Sequence, residues 1–163
     1  MTAIHFRTAT VADVPAMEAS RETDPEVGPA DHRMAAYIAG IHHPQQALPP
    51  RVVYVALQGS TVVGYIAGHL TRRYSCEGEV QYLFVSTPYR RGSIASALLE
   101  RLSRWFAEHG ASKICVDVNP NSPGARPFYV HAGATMLSAH WMVWSDIRHG
   151  AFFVTSSARD ARR

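Results

Sequence analysis

The chain has 163 residues, 47% hydrophobic and 18% charged, which is the size and composition of one folded domain with a sizeable core. Its formal net charge of +3 is small and its arginines are scattered, so no nucleic-acid partner is indicated. No apolar run reaches the roughly 20 residues that span a bilayer, and the N-terminus lacks the pattern of a secretory signal. We therefore expect a cytoplasmic protein with no membrane partner.

The first half of the chain predicts a strand, two helices and a hairpin. The hairpin is indicated by two valine-rich runs that the turn Gln58-Gly59-Ser60 separates. Prolines and other turn residues indicate loops at 23–29 and 42–50. The predicted elements are a strand over 4–7, a helix opening at 10–13, a second helix over 31–39, and strands over 51–57 and 61–70.

The second half predicts strands that alternate with helices. Its clearest element is a helix over 94–109, in which apolar residues recur at three- and four-residue spacing and which Gly110 ends. The other predicted elements are strands over 79–85 and 113–118, a short helix over 125–132, and final strands over 134–137 and 140–145.

This order of elements predicts an α/β (α+β) fold. Hairpins in the first half favour antiparallel pairing, whereas strands joined by helices in the second half favour a parallel pair. We expect a mixed, mostly antiparallel sheet of six to seven strands with helices on both faces. A single domain over 1–147 is predicted, followed by a C-terminal tail over 148–163 that is either docked or mobile.

The turn between strand 79–85 and the long helix carries the chemistry. The amide N–H groups of a helix's first turn form an anion site, and Arg90 and Arg91 add cationic donors there. This combination predicts pyrophosphate binding. The turn has neither the Gly-Lys-Ser/Thr ending of a nucleotide-binding P-loop nor the three-glycine dinucleotide pattern. The alternative is a plain strand–helix turn with solvated arginines.

The same turn resembles the acetyl-CoA pyrophosphate loop of the GNAT superfamily of N-acetyltransferases. That pattern has arginine or glutamine first, glycine three positions later, and glycine or alanine two positions after that. Arg90, Ser93 and Ala95 take these positions. The chain departs from the pattern at Ser93, and Gly92 lies one place early. A serine is strained at this position if it requires positive φ.

A second segment supports the resemblance. Residues 117–134 look like the family's strand, asparagine-containing turn and short tyrosine helix, with Ala125 and Phe128-Tyr129 at matching places. Asn121 lies four residues before Ala125 rather than three, and Gly133-Ala134 replaces the usual Gly-Phe. The resemblance is clear over 79–145 and weaker over 1–70.

The resemblance implies where acetyl-CoA binds. In the GNAT fold, acyl-CoA lies between two splayed parallel strands, here 79–85 and 113–118, and the pantetheine pairs with unpaired backbone. We expect this backbone at Phe84 and Val85. The remaining expected cofactor contacts are the loop residues Arg90, Arg91, Gly92, Ser93, Ile94, Ala95 and Ser96, together with Asn119 and Asn121.

The resemblance also implies two catalytic residues and no metal. Tyr129 matches the usual general acid for the leaving thiolate, and the alternative is a core aromatic on an amphipathic helix. Glu79 is the candidate base for the amine, with Glu77 as its competitor. Both carboxylates could equally be solvated residues at a strand start. His69 and His131 are interpreted as structural.

The implied function is acyl-CoA-dependent N-acyl transfer, with acetyl as the expected group. The acceptor is a primary amine of a small molecule or peptide, attacking directly in a ternary complex. No nucleophile lies at the loop: Cys76 and Cys115 are predicted free thiols, and Cys115 lies mid-strand. The alternative is a non-catalytic acyl-CoA-binding or sensing domain on the same fold.

The acceptor and the assembly are less constrained. Asp24, Glu26 and Asp31 could attract a cationic amine, which is a weak indication. The aromatic C-terminal strand and the apolar run Phe152-Phe153 predict a homodimer, because exposed apolar patches often form interfaces.

Overall fold

The structure, a computed structural model, describes residues 3–24, 27 and 32–150. Its described strands are β1 (Ile4–Thr8), β2 (Ala47–Gln58), β3 (Thr61–Thr71), β4 (Gly78–Val85), β5 (Ile114–Asp117), β6 (Thr135–Ser138) and β7 (Trp141–Trp144). Its described α-helices are α1 (Val14–Glu22), α2 (Met34–Ile38), α3 (Ile94–Glu108) and α4 (Ala125–His131).

The described strands form a single mixed sheet in the order β1-β2-β3-β4-β5-β7-β6. The β4–β5 pair is parallel, and each of the other neighbouring pairs is antiparallel. The connection between β4 and β5 runs through α3, as a parallel pair requires. The predicted mixed, mostly antiparallel sheet is therefore confirmed.

The sheet carries helices on both faces, because successive residues of a strand point to opposite sides. In β3, Ile66 packs into the cluster under α3, whereas Tyr65 and Ala67 pack with residues of α1 and α2. The apolar stripe of α3 is fully buried and consists of Leu98, Leu99, Leu102 and Phe106. On the other face, α1 buries Met17 and α2 buries Tyr37. Burial of these stripes stabilises both layers.

The parallel pair is splayed. Only residues 78–80 of β4 pair with residues 114–116 of β5, although β4 continues to Val85. Pairing between β3 and β4 is also irregular, since Ala67 lies opposite Tyr82 and Gly68 opposite Val80. Gln81 is thus the extra residue of a bulge at the point where the strands separate. Beyond it, β4 has an edge with no neighbouring strand among the described residues.

One predicted boundary was wrong and another was confirmed. Residues 47–50, predicted as loop, begin β2, because the two prolines lie at a register irregularity between Leu48 and Arg51 where strand hydrogen bonds are not required. The first helix opens at 10–13 as predicted, since a 3-10 turn over Val11–Asp13 leads directly into α1 and Asp13 is the N-cap of α1.

The end of the described chain is packed onto the domain. A 3-10 turn spans Ile147–His149, and Ile147 is fully buried in the α3 cluster. Its backbone N–H donates to the Ser112 carbonyl at 2.8 Å. The packed region therefore extends past the predicted boundary at 147, and the apolar run Phe152-Phe153 lies outside the described residues. None of the helices in the described ranges is long and apolar enough to cross a membrane.

Close approach of α3 to the sheet depends on small residues, and Gly78 is the tightest of these positions. A Cβ added there would lie 2.5 Å from Phe106 Cε1 and 2.7 Å from Ile114 Cδ1. We expect Gly78→Ala to lower the free energy of unfolding by about 1–3 kcal/mol through overpacking. Urea denaturation measures this change. Gly124→Ala is the control, because nothing lies within 4 Å of its added Cβ. Equal losses in both variants would contradict the packing explanation.

Candidate active site

The splay leaves one edge of β4 open. Ser86 N–H donates to the Val63 carbonyl at 2.9 Å, and the Phe84 carbonyl lies 2.8 Å from a Cβ built on Gly64. Phe84 and Ser86 therefore direct their backbone groups at β3. Because these directions alternate along a strand, Leu83 and Val85 face the open edge. Of the two residues predicted to pair with pantetheine, Val85 lies on this edge and Phe84 does not.

Arg90 joins the loop to this open edge. Its side-chain Nε donates to the Val85 carbonyl at 2.9 Å. The guanidinium is thereby held where β4 meets α3, beside the first turn of the helix. Arg91 and Gly92 follow as exposed residues. Arg90 thus lies at the mouth of the gap, and the contribution of Arg91 stays a prediction.

The N-terminus of α3 faces the same loop. Ser93 is the N-cap, and its carbonyl accepts the Ala97 N–H at 2.9 Å. The amides of Ile94, Ala95 and Ser96 precede Ala97, the first intrahelical donor, and have no partner within the helix. Ile94 itself is buried, which fixes this end of α3 against the core. The helix therefore presents a row of N–H donors beside Arg90.

Backbone strain in the loop lies at Arg91 rather than at Ser93. Ser93 has φ −95°, so the serine needs no left-handed conformation. Arg91 has φ +65°, a region that a non-glycine residue adopts at some cost. A Cβ on Gly92 would meet the Tyr89 carbonyl at an ordinary 3.5 Å. The departure at Ser93 therefore does not distort the loop.

Asp24 fixes the connection between β4 and α3. Its Oδ2 accepts the Thr87 backbone N–H at 2.8 Å, and its Oδ1 accepts the Thr87 hydroxyl at 2.7 Å. The residue is 7% exposed. The predicted attraction of an amine by Asp24 is therefore wrong, because both carboxylate oxygens are engaged. Glu26 and Asp31, predicted alongside it, lie outside the described residues.

The asparagine turn after β5 is exposed and is stabilised by hydrogen bonds within the turn. Asn119 Oδ1 accepts the Asn121 N–H at 2.9 Å, and the Asn119 carbonyl accepts the Ser122 N–H at 3.1 Å. The Asn119 amide oxygen is thus used within the turn. Contact of either asparagine with a cofactor stays a prediction.

A polar cleft of about 380 Å³ adjoins the splay. It opens on the α2 face of the sheet, and the loop at 42–45 forms part of its rim. Residues from β4, β5, β7 and the turn after β3 line it, among them Arg73, Glu79, Gln81, Tyr82, Asp117 and Trp141. It is large enough for a small amine or the end of a peptide.

Glu79 lies in the wall of this cleft and is not a solvated residue. It is 4% exposed, and its Oε1 accepts a hydrogen bond from Arg73 Nε at 2.9 Å. Burial raises the pKa of the carboxyl, and the Arg73 guanidinium opposes that rise only in part. A raised pKa makes the carboxylate a stronger base.

Glu77, the competing base, has a structural role. Its Oε1 accepts the backbone N–H groups of Lys113 and Ser112, each at 3.1 Å, and the Ser112 hydroxyl at 3.0 Å. These hydrogen bonds lower the pKa of Glu77. The residue precedes β4 and tethers it to the start of β5, so Glu79 is the better candidate base.

Tyr129 of α4 is a buried aromatic with an available hydroxyl. It is 6% exposed, and its ring packs edge-on against Trp144 with the two ring centroids 5.8 Å apart. Burial raises its pKa, so the phenol is protonated near neutral pH. The hydroxyl makes no hydrogen bond to any described residue. Tyr129 therefore packs in the core, as one interpretation predicted, and still carries a proton that it could donate.

Glu79 and Tyr129 belong to opposite faces of the sheet. Tyr129 packs in the α3 cluster together with Val80. Glu79 precedes Val80 in the strand and points the other way, toward Arg73 and α2. The gap between β4 and β5 separates the two faces. The candidate base and the candidate acid thus lie on opposite sides of the gap.

His69, which the sequence interpretation assigned to structure, lies beside the candidate base Glu79. It is completely buried in β3 and pairs in register with Glu79 of β4. Its Nε2 lies 3.7 Å from Glu79 Oε2. The register of β3 against β4, which a bulge shifts, places the two residues opposite each other. Arg73 was missed in the sequence interpretation, and its guanidinium stacks 4.7 Å from the Trp141 ring centroid.

Other predicted features bear on the site indirectly. Cys76 and Cys115 are free, buried thiols, and burial raises the pKa of both. They are therefore poor nucleophiles. Trp141 and Trp144 of β7 are 8% and 2% exposed, so the C-terminal strand offers no aromatic patch for a dimer.

Potential metal ligands come together at one place in the described part of the chain. The ligating atoms of Glu18, Glu22 and His32 lie within 4.8 Å of one another. His32 also contacts Glu18 at 3.2 Å as a surface pair. Exposed carboxylates commonly form such pairs without an ion.

Comparison with known proteins identifies the family. A sequence profile described as the acetyltransferase (GNAT) family matches residues 15–134, which is most of the chain. The chain belongs to the acetyltransferase (GNAT) family. No curated protein matches it.

Solved structures share the GNAT fold at low sequence identity. An acetyltransferase from Thermus thermophilus is 15% identical with a TM-score of 0.69, over 88% of this chain and 99% of that one. The PaiA N-acetyltransferase from Thermoplasma acidophilum, solved with coenzyme A, is 15% identical with a TM-score of 0.64, over 86% and 96%. An Arabidopsis thaliana protein solved with a bisubstrate analogue is 14% identical with a TM-score of 0.67, over 87% and 97%.

The GNAT family uses acetyl-CoA, and the residues present fit that molecule. The open edge at Leu83 and Val85 offers backbone groups to the amides of pantetheine. The amides of residues 94–96 and the guanidinium of Arg90 offer donors to a pyrophosphate. The backbone groups of the β4 edge and the donors of the loop follow one another along the chain. They can therefore contact successive parts of an elongated ligand such as acetyl-CoA.

Proposed function

We propose that this GNAT protein transfers an acetyl group from acetyl-CoA to a primary amine. The acceptor is a small molecule or the amine of a peptide, and it attacks directly in a ternary complex. The observation that carries the proposal is the open β4 edge, which leads into the Arg90 loop and has buried Glu79 in the adjoining cleft. A covalent enzyme intermediate is unnecessary, since the two cysteines are buried with raised pKa values.

The acyl donor, acetyl-CoA, is bound by backbone groups and by arginine side chains. Leu83 and Val85 supply strand-like hydrogen bonds, and the α3 amides with Arg90 and Arg91 neutralise the pyrophosphate. Asp24 supports this arrangement by clamping Thr87, so the loop keeps one orientation relative to β4. Preorganised donors reduce the entropy lost on binding.

Glu79 acts as the general base. Its Oε1 is engaged by Arg73, which leaves Oε2 to accept a proton from the ammonium group or from an intervening water. The free amine then attacks the acetyl carbonyl carbon, and its nitrogen loses a second proton to water in the cleft as the tetrahedral intermediate collapses to the amide and the thiolate. The proton on Glu79 returns to solvent through the cleft after the product leaves.

Tyr129 acts as the general acid on the other face. When the carbon–sulfur bond breaks, the phenol O–H protonates the leaving thiolate, and the phenolate regains its proton from solvent. The raised pKa of Tyr129 keeps the proton on the phenol until the thiolate forms. The amine and the thiolate thus exchange protons with different residues.

The alternative of a non-catalytic acyl-CoA sensor loses one of its two supports. That hypothesis rested on the serine at position 93 and on the altered asparagine turn, and Ser93 has an ordinary φ of −95°. A sensor also gives no reason for burying a carboxylate beside a polar cleft, because burial of a charge is costly.

Calorimetric titration of acetyl-CoA tests the donor site. We expect Arg90→Ala to weaken binding about 10- to 100-fold, because a charge-assisted hydrogen bond contributes about 1.5–3 kcal/mol. Arg104→Ala is the matched control, since Arg104 is an exposed arginine of α3 that pairs with Glu100. Equal weakening in both variants, or no binding at millimolar acetyl-CoA, would overturn the donor site.

Transfer itself is tested with an amine panel of amino acids, polyamines, aminoglycosides and short peptides. Mass spectrometry of the acetylated product and release of free coenzyme A are measured together. Binding of acetyl-CoA without acetylation of any amine would favour the sensor instead.

A further inference from the structure

His69 is a buried polar residue that the proposed reaction does not yet use. It is 0% exposed in β3, and the Tyr37 hydroxyl of α2 lies 2.9 Å from its Nδ1. Its Nε2 is buried and has no hydrogen-bond partner within the described residues. Glu79 Oε2 lies 3.7 Å from this atom, about 0.7 Å longer than an N–H···O hydrogen bond. A lone polar atom is thus directed at the candidate base.

The protonation state of His69 follows from its surroundings. Burial, followed by the positive charges of Arg51 and Arg73, lowers its pKa to about 4. The imidazole is therefore neutral near pH 7 and carries one N–H. Burial raises the pKa of Tyr37, so that phenol keeps its proton.

The hydrogen-bond pattern selects one tautomer. If the Tyr37 O–H donates to Nδ1, the proton of the imidazole is on Nε2 and faces Glu79 Oε2. The other tautomer would direct the Nε2 lone pair at a carboxylate oxygen, which is repulsive while Glu79 is ionised. The Tyr37 hydroxyl therefore fixes the orientation of the N–H that Glu79 meets.

We propose that His69 is a positioning residue for Glu79. Its Nε2–H restrains Oε2 while Arg73 Nε holds Oε1, so that the carboxylate keeps one rotamer facing the cleft. Only the statement that Glu79 is the base rests on the proposed function. Other ionisable groups also surround the pair: Arg51 of β2, Cys76 in the turn before β4, Tyr82 of β4, Asp117 and Cys115 of β5, and Tyr37 of α2.

From this arrangement we expect a measurable change in the pKa of Glu79 when His69 is replaced. An N–H that favours the ionised form holds its pKa down, partly offsetting the effect of burial. Removing the N–H should therefore raise the pKa of Glu79 by about one unit. Replacing it with another side-chain N–H should restore the original pKa.

The experiment is a carbon-13 NMR titration of protein labelled at the glutamate carboxyl carbon, with Glu79→Gln identifying the resonance. His69→Leu removes the N–H, and His69→Gln keeps a donor on a side chain of similar reach. Tyr37→Phe keeps the imidazole and removes the hydroxyl that selects its tautomer. We expect the largest rise in the pKa of Glu79 for His69→Leu, a smaller rise for Tyr37→Phe, and little change for His69→Gln.

An unchanged pKa of Glu79 in folded His69→Leu would overturn the inference. If that variant does not fold, the Tyr37→Phe variant decides the question. An unchanged pKa of Glu79 in this variant overturns the inference, and a raised pKa supports it. The titration needs no amine substrate. Absence of acetyl transfer with a normal His69-dependent titration would therefore refute the proposed function while leaving this coupling intact.

Discussion

Replacing Glu79 with glutamine is expected to lower acetyl transfer at neutral pH by about 10²- to 10⁴-fold, the usual contribution of a general base. The amide has the same shape and can still accept from Arg73, but it cannot take a proton from the ammonium group. The pKa of Glu79 lies above its usual value, and the rate falls as pH drops through it because the protonated carboxyl is no base. Glu79→Gln should abolish that fall.

Steady-state rates between pH 5 and about 9 measure both effects. Glu77→Gln is the matched control, because Glu77 contacts Ser112 and Lys113 rather than the cleft. We expect it to lose stability but not the pH dependence. If Glu77→Gln and Glu79→Gln slowed transfer equally, or if Glu79→Gln kept the acidic fall, another residue would be the base.

Replacing Tyr129 with phenylalanine is the second large expected effect. Loss of a general acid should slow transfer by about 10²-fold or more, because the thiolate then leaves unprotonated. The ring contact with Trp144 survives, so stability and the affinity for acetyl-CoA should hardly change. The effect should therefore appear in kcat rather than in donor binding.

Rates with donors of different thiol basicity sharpen this test. A donor whose thiolate is a weaker base needs less protonation, so it should be affected less by Tyr129→Phe. Tyr54→Phe is the control, since Tyr54 is a half-buried tyrosine of β2 remote from the splay. A normal kcat in Tyr129→Phe would return Tyr129 to a purely packing role.

What the sequence could predict was local. The long helix follows from the spacing of its apolar residues, and the anion loop follows from a strand that enters a helix through Arg90. The strain expected at Ser93 was wrong because φ depends on the whole turn, and in this turn the positive φ falls at Arg91. A pattern of residue types does not determine which residue takes that conformation.

What the sequence could not predict were contacts between distant residues. Asp24 and Thr87 are 63 positions apart, and their pairing depends on how α1 returns to the end of β4. The sequence left Glu77 as a competitor of Glu79 for the role of base, yet β4 begins at Gly78 and only Glu79 follows its alternation. The proximity of His69 to Glu79 depends on the exact register of β3 against β4.

The short β4–β5 pairing is a weak seam that separates the sheet into two more rigid parts. Four strands lie on one side of this seam and three on the other, and three parallel residue pairs join them in the plane of the sheet. A ligand that filled the gap would extend the seam along the rest of β4 and join the two half-sheets. Stiffness of the domain would then depend on the acyl donor, and release of coenzyme A would loosen the molecule where the next donor must enter.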